Sequence, residues 1–117
     1  MTSDARNYAS VCPPGTFVTG IGWRKDIFLQ SMGPHRCSDG TTLPQFGNGA
    51  RNQQISHTST IGYTGISFAV SLPGADNVGG GLDLRSFFTA DGRRSDLHNI
   101  TIFPAHMNVS CPSGMVV

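Results

Sequence analysis

The 117 residues are enough for one domain with a single hydrophobic core. Their charges are few and nearly balanced, eight Lys plus Arg against seven acidic residues, and they form no basic stripe. Nucleic acid is therefore excluded as a partner, because neutralising its backbone needs clustered positive charge. No apolar run approaches the ~20 residues of a membrane-spanning helix, so membrane insertion is not expected either.

The composition favours an all-β fold. Every acidic residue is Asp and Lys25 is the sole lysine, so two strong helix formers are almost missing. The chain holds 15 Gly and 7 Pro, with abundant Ser and Thr, which form turns or suit strands. No eleven-residue window keeps an apolar stripe at helical spacing. We therefore expect no helix longer than about two turns.

The first strand signal covers residues 16–23. Phe17, Thr19, Ile21 and Trp23 fall on one face and Val18 falls on the other. A cysteine-bounded segment follows, and turns are then expected at residues 48–49.

The clearest strand signal covers residues 66–72, and a further one covers residues 97–103. The first alternates apolar and small polar side chains, whereas the second places Asn99 on the face opposite its isoleucines. Turn chemistry lies between them at residues 74–77 and at Asp91-Gly92. A glycine run at residues 79–81 is interpreted as a hairpin tip. The predicted core consists of Phe17, Ile21, Ile66, Phe68, Val70, Ile100 and Ile102.

The chain has three cysteines, an odd number. Cys12 begins Cys-Pro-Pro-Gly-Thr-Phe-Val, and 99 residues later Cys111 begins Cys-Pro-Ser-Gly-Met-Val-Val. One interpretation is that Cys-Pro-x-Gly is an ordinary turn that precedes a strand. The other is a tandem array with a period near 99 residues. Cys111 would then be the next repeat's Cys12, which leaves Cys12 and Cys37 to form this module's own disulfide.

On the repeat interpretation the chain divides into three parts. Residues 1–10 are a linker or the end of a preceding repeat, residues 11–109 are a single β module, and residues 110–117 are the first strand of a following repeat. Residues 111–117 should then pair with an adjoining copy or continue into the next module. Cys111 is expected to form a disulfide between modules rather than to Cys12 or Cys37.

An extracellular location is expected although no signal peptide is recognisable. Asn99-Ile100-Thr101 and Asn108-Val109-Ser110 are both acceptor sequons for N-glycosylation. Asn99 is the preferred site because its strand face is predicted to be exposed. Two sequons beside cysteines are typical of secreted glycoproteins.

Residue patterns typical of catalysis or of cofactor and metal binding are absent from the sequence. The four histidines lack the spacing of zinc ligands, there is no Gly-x-Ser-x-Gly elbow, and the dispersed Asp residues suggest no acid/base pair. The sequence therefore predicts a protein that is not an enzyme and has no cofactor.

Residues 12–40 carry a family resemblance. The opening Cys-Pro-x-Gly, the strand ending in Thr-Gly-Ile and the Gly33-Pro34 pair before Cys37 resemble jacalin-like lectin domains and related extracellular modules of algae and bacteria. The opening and the distant cysteine also resemble vitelline membrane outer layer protein. This resemblance implies a β-prism of three antiparallel sheets. A β-sandwich is the alternative.

The resemblance also implies a sugar site. In jacalin-like lectins a Gly-x-x-x-Asp loop before Gly-Pro binds the sugar, and aligning Gly33-Pro34 places Asp26 at the glycine and Gln30 at the aspartate. Both positions depart from the pattern, since Gln30 lacks the charge and Asp26 adds a Cβ. A working lectin would bind glycan between these residues, with Trp23 or Phe28 as an apolar platform. Residues 22–26 and 92–96 also match the Gly-x-x-x-Asp pattern, but only in the spacing of the glycine and the aspartate.

Two functions of different class follow. The favoured one is a non-catalytic structural and interaction module, one unit of a tandem-repeat surface, wall or filament protein whose partners are neighbouring copies. The alternative is a lectin domain that binds carbohydrate through Trp23, Asp26, Phe28 and Gln30.

Overall fold

The computed structural model describes residues 9–47, 51–71, 81–98, 105–112 and 114–117. The regular secondary structure within these ranges consists of β-strands alone, which confirms the all-β prediction. The described residues contain no helix that could cross a membrane. The strands are β1 (Val18–Lys25), β2 (Leu29–Met32), β3 (His35–Cys37), β4 (Thr42–Leu43), β5 (Phe46–Gly47), β6 (Gln54–Thr58), β7 (Tyr63–Ser71), β8 (Gly81–Thr89), β9 (Arg94–Asp96) and β10 (Ala105–Ser110).

The first sheet is built around β1. Strands β2 and β3 pair antiparallel with successive parts of one edge of β1, and β6 pairs antiparallel with its other edge. Strands β5 and β4 extend the sheet beyond β2 and β3. Because β1 has neighbours on both edges, it is the central strand, and most of its residues are buried.

The second sheet is antiparallel, with the order β10-β7-β8-β9 among the described strands. Strands β7 and β8 are nine residues each, and their register shifts between Ser67 and Phe68. Strand β10 pairs with β7 over six consecutive residues without a shift, from Ala105 opposite Val70 to Ser110 opposite Gly65. The described strands thus form two antiparallel sheets.

Three aromatic rings hold the two sheets together. The Phe87 ring of β8 lies 5.5 Å, centroid to centroid, from both Trp23 of β1 and Tyr63 of β7, edge to face in each case. Val18, Ile21 and Leu84 complete this buried cluster. Burial of large apolar side chains is the main favourable term in folding, so this cluster is the principal core of the described part of the chain.

The predicted core is correct in part. Ile21 is buried, and Ile66 and Phe68 are half-buried and pack against the central cluster. Phe17 and Val70 are only half-buried. Neither is a member of the buried cluster, which contains the three aromatic rings, and Ile100 and Ile102 lie outside the described residues.

The alternation predicted for β1 fails at Val18, which is buried although it was assigned to the face opposite Ile21. The pairing of β1 with β3 shifts register between Val18 and Gly20. Such an irregularity reverses the alternation of side chains locally, so Val18 and Ile21 both reach the core.

The turn predicted at Asp91-Gly92 is present between β8 and β9. The carboxylate of Asp91 accepts hydrogen bonds from the Thr89 hydroxyl at 2.6 Å and the Arg93 N–H at 3.1 Å, and Gly92 has φ of 82°. Gly81 begins β8. The turns expected at residues 48–49 and 74–77, the rest of the glycine run and most of the strand expected at residues 97–103 lie outside the described residues.

Candidate functional site

The loop between β1 and β2 holds two of the predicted sugar-site residues together. One carboxylate oxygen of Asp26 accepts hydrogen bonds from the Phe28 N–H and from the Gln30 side-chain amide, each at 3.0 Å. The Phe28 N–H, and then the Gln30 amide, lower the pKa of the Asp26 carboxyl. Asp26 is therefore a fixed, solvent-exposed carboxylate, and Gln30 is committed to holding it.

The rings of the two predicted aromatic platforms are both engaged in packing within the protein. Trp23 has an exposed fraction of 2% and packs edge to face on Phe87, so its ring offers no face to a sugar. Phe28 is half-buried, and its ring lies over Gly81 of the second sheet, where any Cβ would collide with it. The structure thus brings Asp26 and Gln30 together but gives both aromatic rings packing roles.

A cleft of about 630 Å³ opens beside this loop, between the edge strands β6 and β9 of the two sheets. On its floor Lys25 of β1 makes a salt bridge to Asp83 of β8, and Asp83 is fully buried. The second oxygen of Asp83 accepts the N–H of Leu84 at 2.9 Å. The cleft is lined by Trp23, Lys25, Asp26, Ile55, Ser56, His57, Asp83, Leu84, Ser95, Asp96, Leu97 and His98.

Sequence reasoning missed this ion pair. Lys25 and Asp83 are 58 positions apart and their neighbours in the sequence carry no motif, although Asp83 lies two positions after the last glycine of the glycine run. Only the stacking of two sheets brings them into contact. A buried charge needs a partner, so the pair ties β1 of the first sheet to β8 of the second sheet.

Two histidines are partly buried in the first sheet. His57 shares a hydrogen bond of 2.8 Å with the Tyr63 hydroxyl, and the Nδ1 atom of His35 accepts the Gly22 N–H at 3.2 Å. Burial lowers the pKa of both imidazoles and raises the pKa of Tyr63 to about 12. Both histidines therefore favour the neutral form. Among the described residues no group of three or more His, Cys or Asp side chains is placed to hold a metal ion.

Cys12 and Cys37 form a disulfide, with their Cα atoms 5.7 Å apart. It fastens the segment before β1 to the end of β3. Cys111 is a half-buried free cysteine.

Residues 12–18 and 111–117, which we call the two seam segments, contain the same turn. The Thr16 N–H donates to the Pro13 carbonyl at 3.0 Å, and the Met115 N–H donates to the Pro112 carbonyl at 3.0 Å. The glycine within each turn has a positive φ, 79° at Gly15 and 80° at Gly114, which glycine adopts without strain. A shared turn is expected on either interpretation of the sequence match.

The two seam segments also lie next to each other in the structure, and this position is more informative than their shared turn. Val18 and Val117, which correspond at the 99-residue offset, are hydrogen-bonded, with the Val18 N–H donating to the Val117 carbonyl at 2.9 Å. The Val117 N–H in turn donates to the Tyr63 carbonyl at 2.9 Å, and the Cys111 N–H donates to the Thr64 carbonyl at 2.8 Å. The second segment is thus attached to this module and joins β1 to β7.

Of the two predicted glycosylation sites, Asn108 lies exposed on β10 and Asn99 lies outside the described residues. Among the described strands β10 is an edge of the second sheet, and the Asn108 side chain is accessible from solvent.

A second groove, of about 430 Å³, crosses β1 between β3 and β6. Gly20 and Gly22 lie on its floor, while Arg36, Ser56 and Thr58 stand on its walls. A Cβ at Gly22 would lie 2.6 Å from the Pro34 carbonyl oxygen, so glycine is required there for the chains to approach.

Comparison of the sequence with protein-family models and with curated proteins, and of the fold with solved structures, finds no match.

Proposed function

We propose that the chain is a non-catalytic structural and interaction module of an extracellular tandem-repeat protein. The contact between the two seam segments supports this most. The second seam segment resembles the first in sequence and is hydrogen-bonded to it. In an array, the segment that starts one module would be bound by the module before it. Successive modules would then share backbone hydrogen bonds instead of a loose linker, which suits a wall, surface or filament component.

The other features of the proposal fit the same picture. The Cys12–Cys37 disulfide is typical of an oxidising compartment, and the unpaired Cys111 would take the role of Cys12 in the following module. We also propose that the module has a β-prism architecture. A prism needs a third sheet, and the described strands form two.

A two-module chain tests the proposal. Val117 is followed directly by a second copy of residues 19–117, so that residues 111–117 replace residues 12–18 of the second copy. We expect both modules to fold, Cys111 to form a disulfide with the second copy's Cys37, and one reactive thiol per chain to remain. Peptide mapping of the unreduced protein measures the pairing.

The matched control joins a complete second copy, residues 9–117, to Val117 through a Gly/Ser linker. Both copies should then keep their Cys12–Cys37 disulfides, with two reactive thiols per chain. An unfolded second module and a free Cys111 in the directly joined chain, beside a well-folded control, would refute the tandem-repeat proposal.

Carbohydrate binding at the loop from Asp26 to Gln30 is the second candidate function. It is supported by the fixed Asp26 carboxylate at the rim of the cleft, since carboxylates bind sugar hydroxyls strongly. A glycan array should show no ligand tighter than about millimolar if the loop is a degenerate site. Micromolar binding that is lost in Asp26→Asn and Gln30→Ala would make the lectin the better assignment.

A further inference from the structure

The edges of the two sheets are protected from pairing with other chains to very different degrees. Strands β4 and β5 are two residues each and are separated by Pro44 and Gln45. Strand β9 is three residues long and carries Arg94 and Asp96, whose side chains form an ion pair at 2.9 Å. Short strands, prolines and charges are the usual devices that stop an edge strand from recruiting another strand.

The edge strand β6 is five uncharged residues, but its outer side faces the cleft. Ile55, Ser56 and His57 form one wall of the cleft, and the segment from Ser95 to His98 belongs to the opposite wall. A second chain could not run along β6 without filling this cleft.

Strand β10 has none of these protections. Its six residues include no Asp, Glu, Lys, Arg or Pro, and they pair with β7 in unbroken register. Five of the six are exposed. Among the described strands, β10 is therefore the edge best suited to form a ladder with another strand.

The side chains of β10 are also self-complementary. Met107 and Val109 lie on one face, with exposed fractions of 44% and 54%, and their cross-strand partners are Phe68 and Ile66 of the core face. His106 and Asn108 lie on the other face. When two copies of β10 pair antiparallel about a two-fold axis, apolar residues meet apolar residues and no acidic or basic side chains of like charge are opposed.

We propose that β10 is a docking edge for β10 of a second copy of this chain, and that an N-linked glycan on Asn108 closes it. The pairing joins the second sheet of one copy to the second sheet of the other as one continuous sheet, and it covers Met107 and Val109. Asn108 is exposed in the middle of the strand, and a bulky glycan there obstructs the approach of the second chain. This inference goes beyond the proposed function and does not depend on it, since a lateral pairing through β10 can exist with or without a tandem array.

Sedimentation velocity over a range of concentrations tests the pairing. Every sample carries Cys111→Ser, so that no dimer is a disulfide. The chain without glycan should dimerise at concentrations on the order of 100 µM, as small interfaces do. Met107→Lys should weaken self-association by about tenfold or more, because it places like charges along the paired edges. Thr42→Lys, an equivalent charge on the exposed edge strand β4, should leave it unchanged.

Two further measurements decide the remaining points. Hydrogen exchange of the glycan-free chain should show the β10 amides gaining protection as its concentration rises, a readout that needs no variant. A chain that carries a glycan at Asn108 alone, with Asn99→Gln, should stay monomeric. A glycan-free chain that remains monomeric, a dimer that Met107→Lys leaves intact, or unchanged β10 exchange overturns the docking edge. Dimerisation of the glycosylated chain overturns the role of the glycan.

Discussion

The backbone N–H of Val18 donates a hydrogen bond to the carbonyl oxygen of Val117 across 2.9 Å, and these two residues are 99 positions apart. They occupy the same place in the two seam segments. Beside them Gly62 has φ of 89°, and a Cβ added to it would lie 3.2 Å from Phe17 and 3.3 Å from Val116, which also correspond at the same offset. Gly62 is thus the point where both segments and the start of β7 meet.

Gly62→Ala should destabilise the protein by roughly 2–3 kcal/mol, since it combines a strained φ with crowding against two side chains. Gly92→Ala is the matched control, because Gly92 has a similar φ of 82° and no atom within 4 Å of the added Cβ. The control should cost about 1–2 kcal/mol. Urea denaturation measures both. Equal costs would show that the seam segments are not packed around Gly62.

The Lys25–Asp83 pair makes a second prediction. Asp83→Ala removes the buried carboxylate with which the Lys25 ammonium forms a salt bridge, and we expect a loss of about 3–5 kcal/mol of unfolding free energy. The double variant Lys25→Met with Asp83→Leu should recover much of that loss, because an apolar pair pays no desolvation cost. The single variants Lys25→Met and Asp83→Leu complete a double-mutant cycle, in which additive losses would count against a buried pair. The exposed Arg93, substituted by Ala, should have little effect.

The pH dependence of stability follows in part from the two partly buried histidines, His35 and His57. Their pKa values are lowered in the folded state, so the unfolded chain binds protons more readily as the pH falls. Their contribution should be fully present above the unfolded pKa of about 6.5 and should be lost as the pH falls through the folded values. Denaturation midpoints between pH 8 and pH 4 measure this loss. The variant carrying His35→Gln and His57→Gln should lose less stability over that range, and an unchanged slope would assign the effect to other groups.

The disulfide closes a loop of 25 residues, and constraining the unfolded chain in this way is worth about 3 kcal/mol. Cys12→Ala with Cys37→Ala should therefore lower the unfolding free energy by about that amount. Alkylation of the unreduced wild-type protein should label Cys111 and leave Cys12 and Cys37 unlabelled. Detection of a disulfide from Cys111 to either of them within one chain would contradict the tandem-repeat proposal.

Glycan occupancy provides the test of the extracellular assignment. Peptide mapping of protein from its natural source should show a glycan on Asn99 or Asn108 together with the Cys12–Cys37 disulfide. Unmodified asparagines and reduced Cys12 in such material would contradict secretion.

The sequence alone determined the fold class and the disulfide, because both depend on local or simple signals. Alternation of side chains, the lack of helix formers and abundant turn residues predict strands, and the turn at Asp91-Gly92 follows from the chemistry of these two residues. The choice of Cys12 and Cys37 followed from the repeat interpretation of the sequence, in which Cys111 would belong to another module.

Only the tertiary structure decided how the strands stack, and that arrangement placed the site residues. The alternating pattern around Trp23 is the same whether its side chain is buried in the core or exposed as a platform for a sugar. Only its packing against Phe87 of the other sheet shows that it is buried. The register shift beside Val18 depends on pairing with a strand that is distant in sequence. Lys25 and Asp83 are joined by the packing of one sheet on the other. No periodicity in a single strand encodes such contacts, because they arise from the packing of residues that are far apart in the chain.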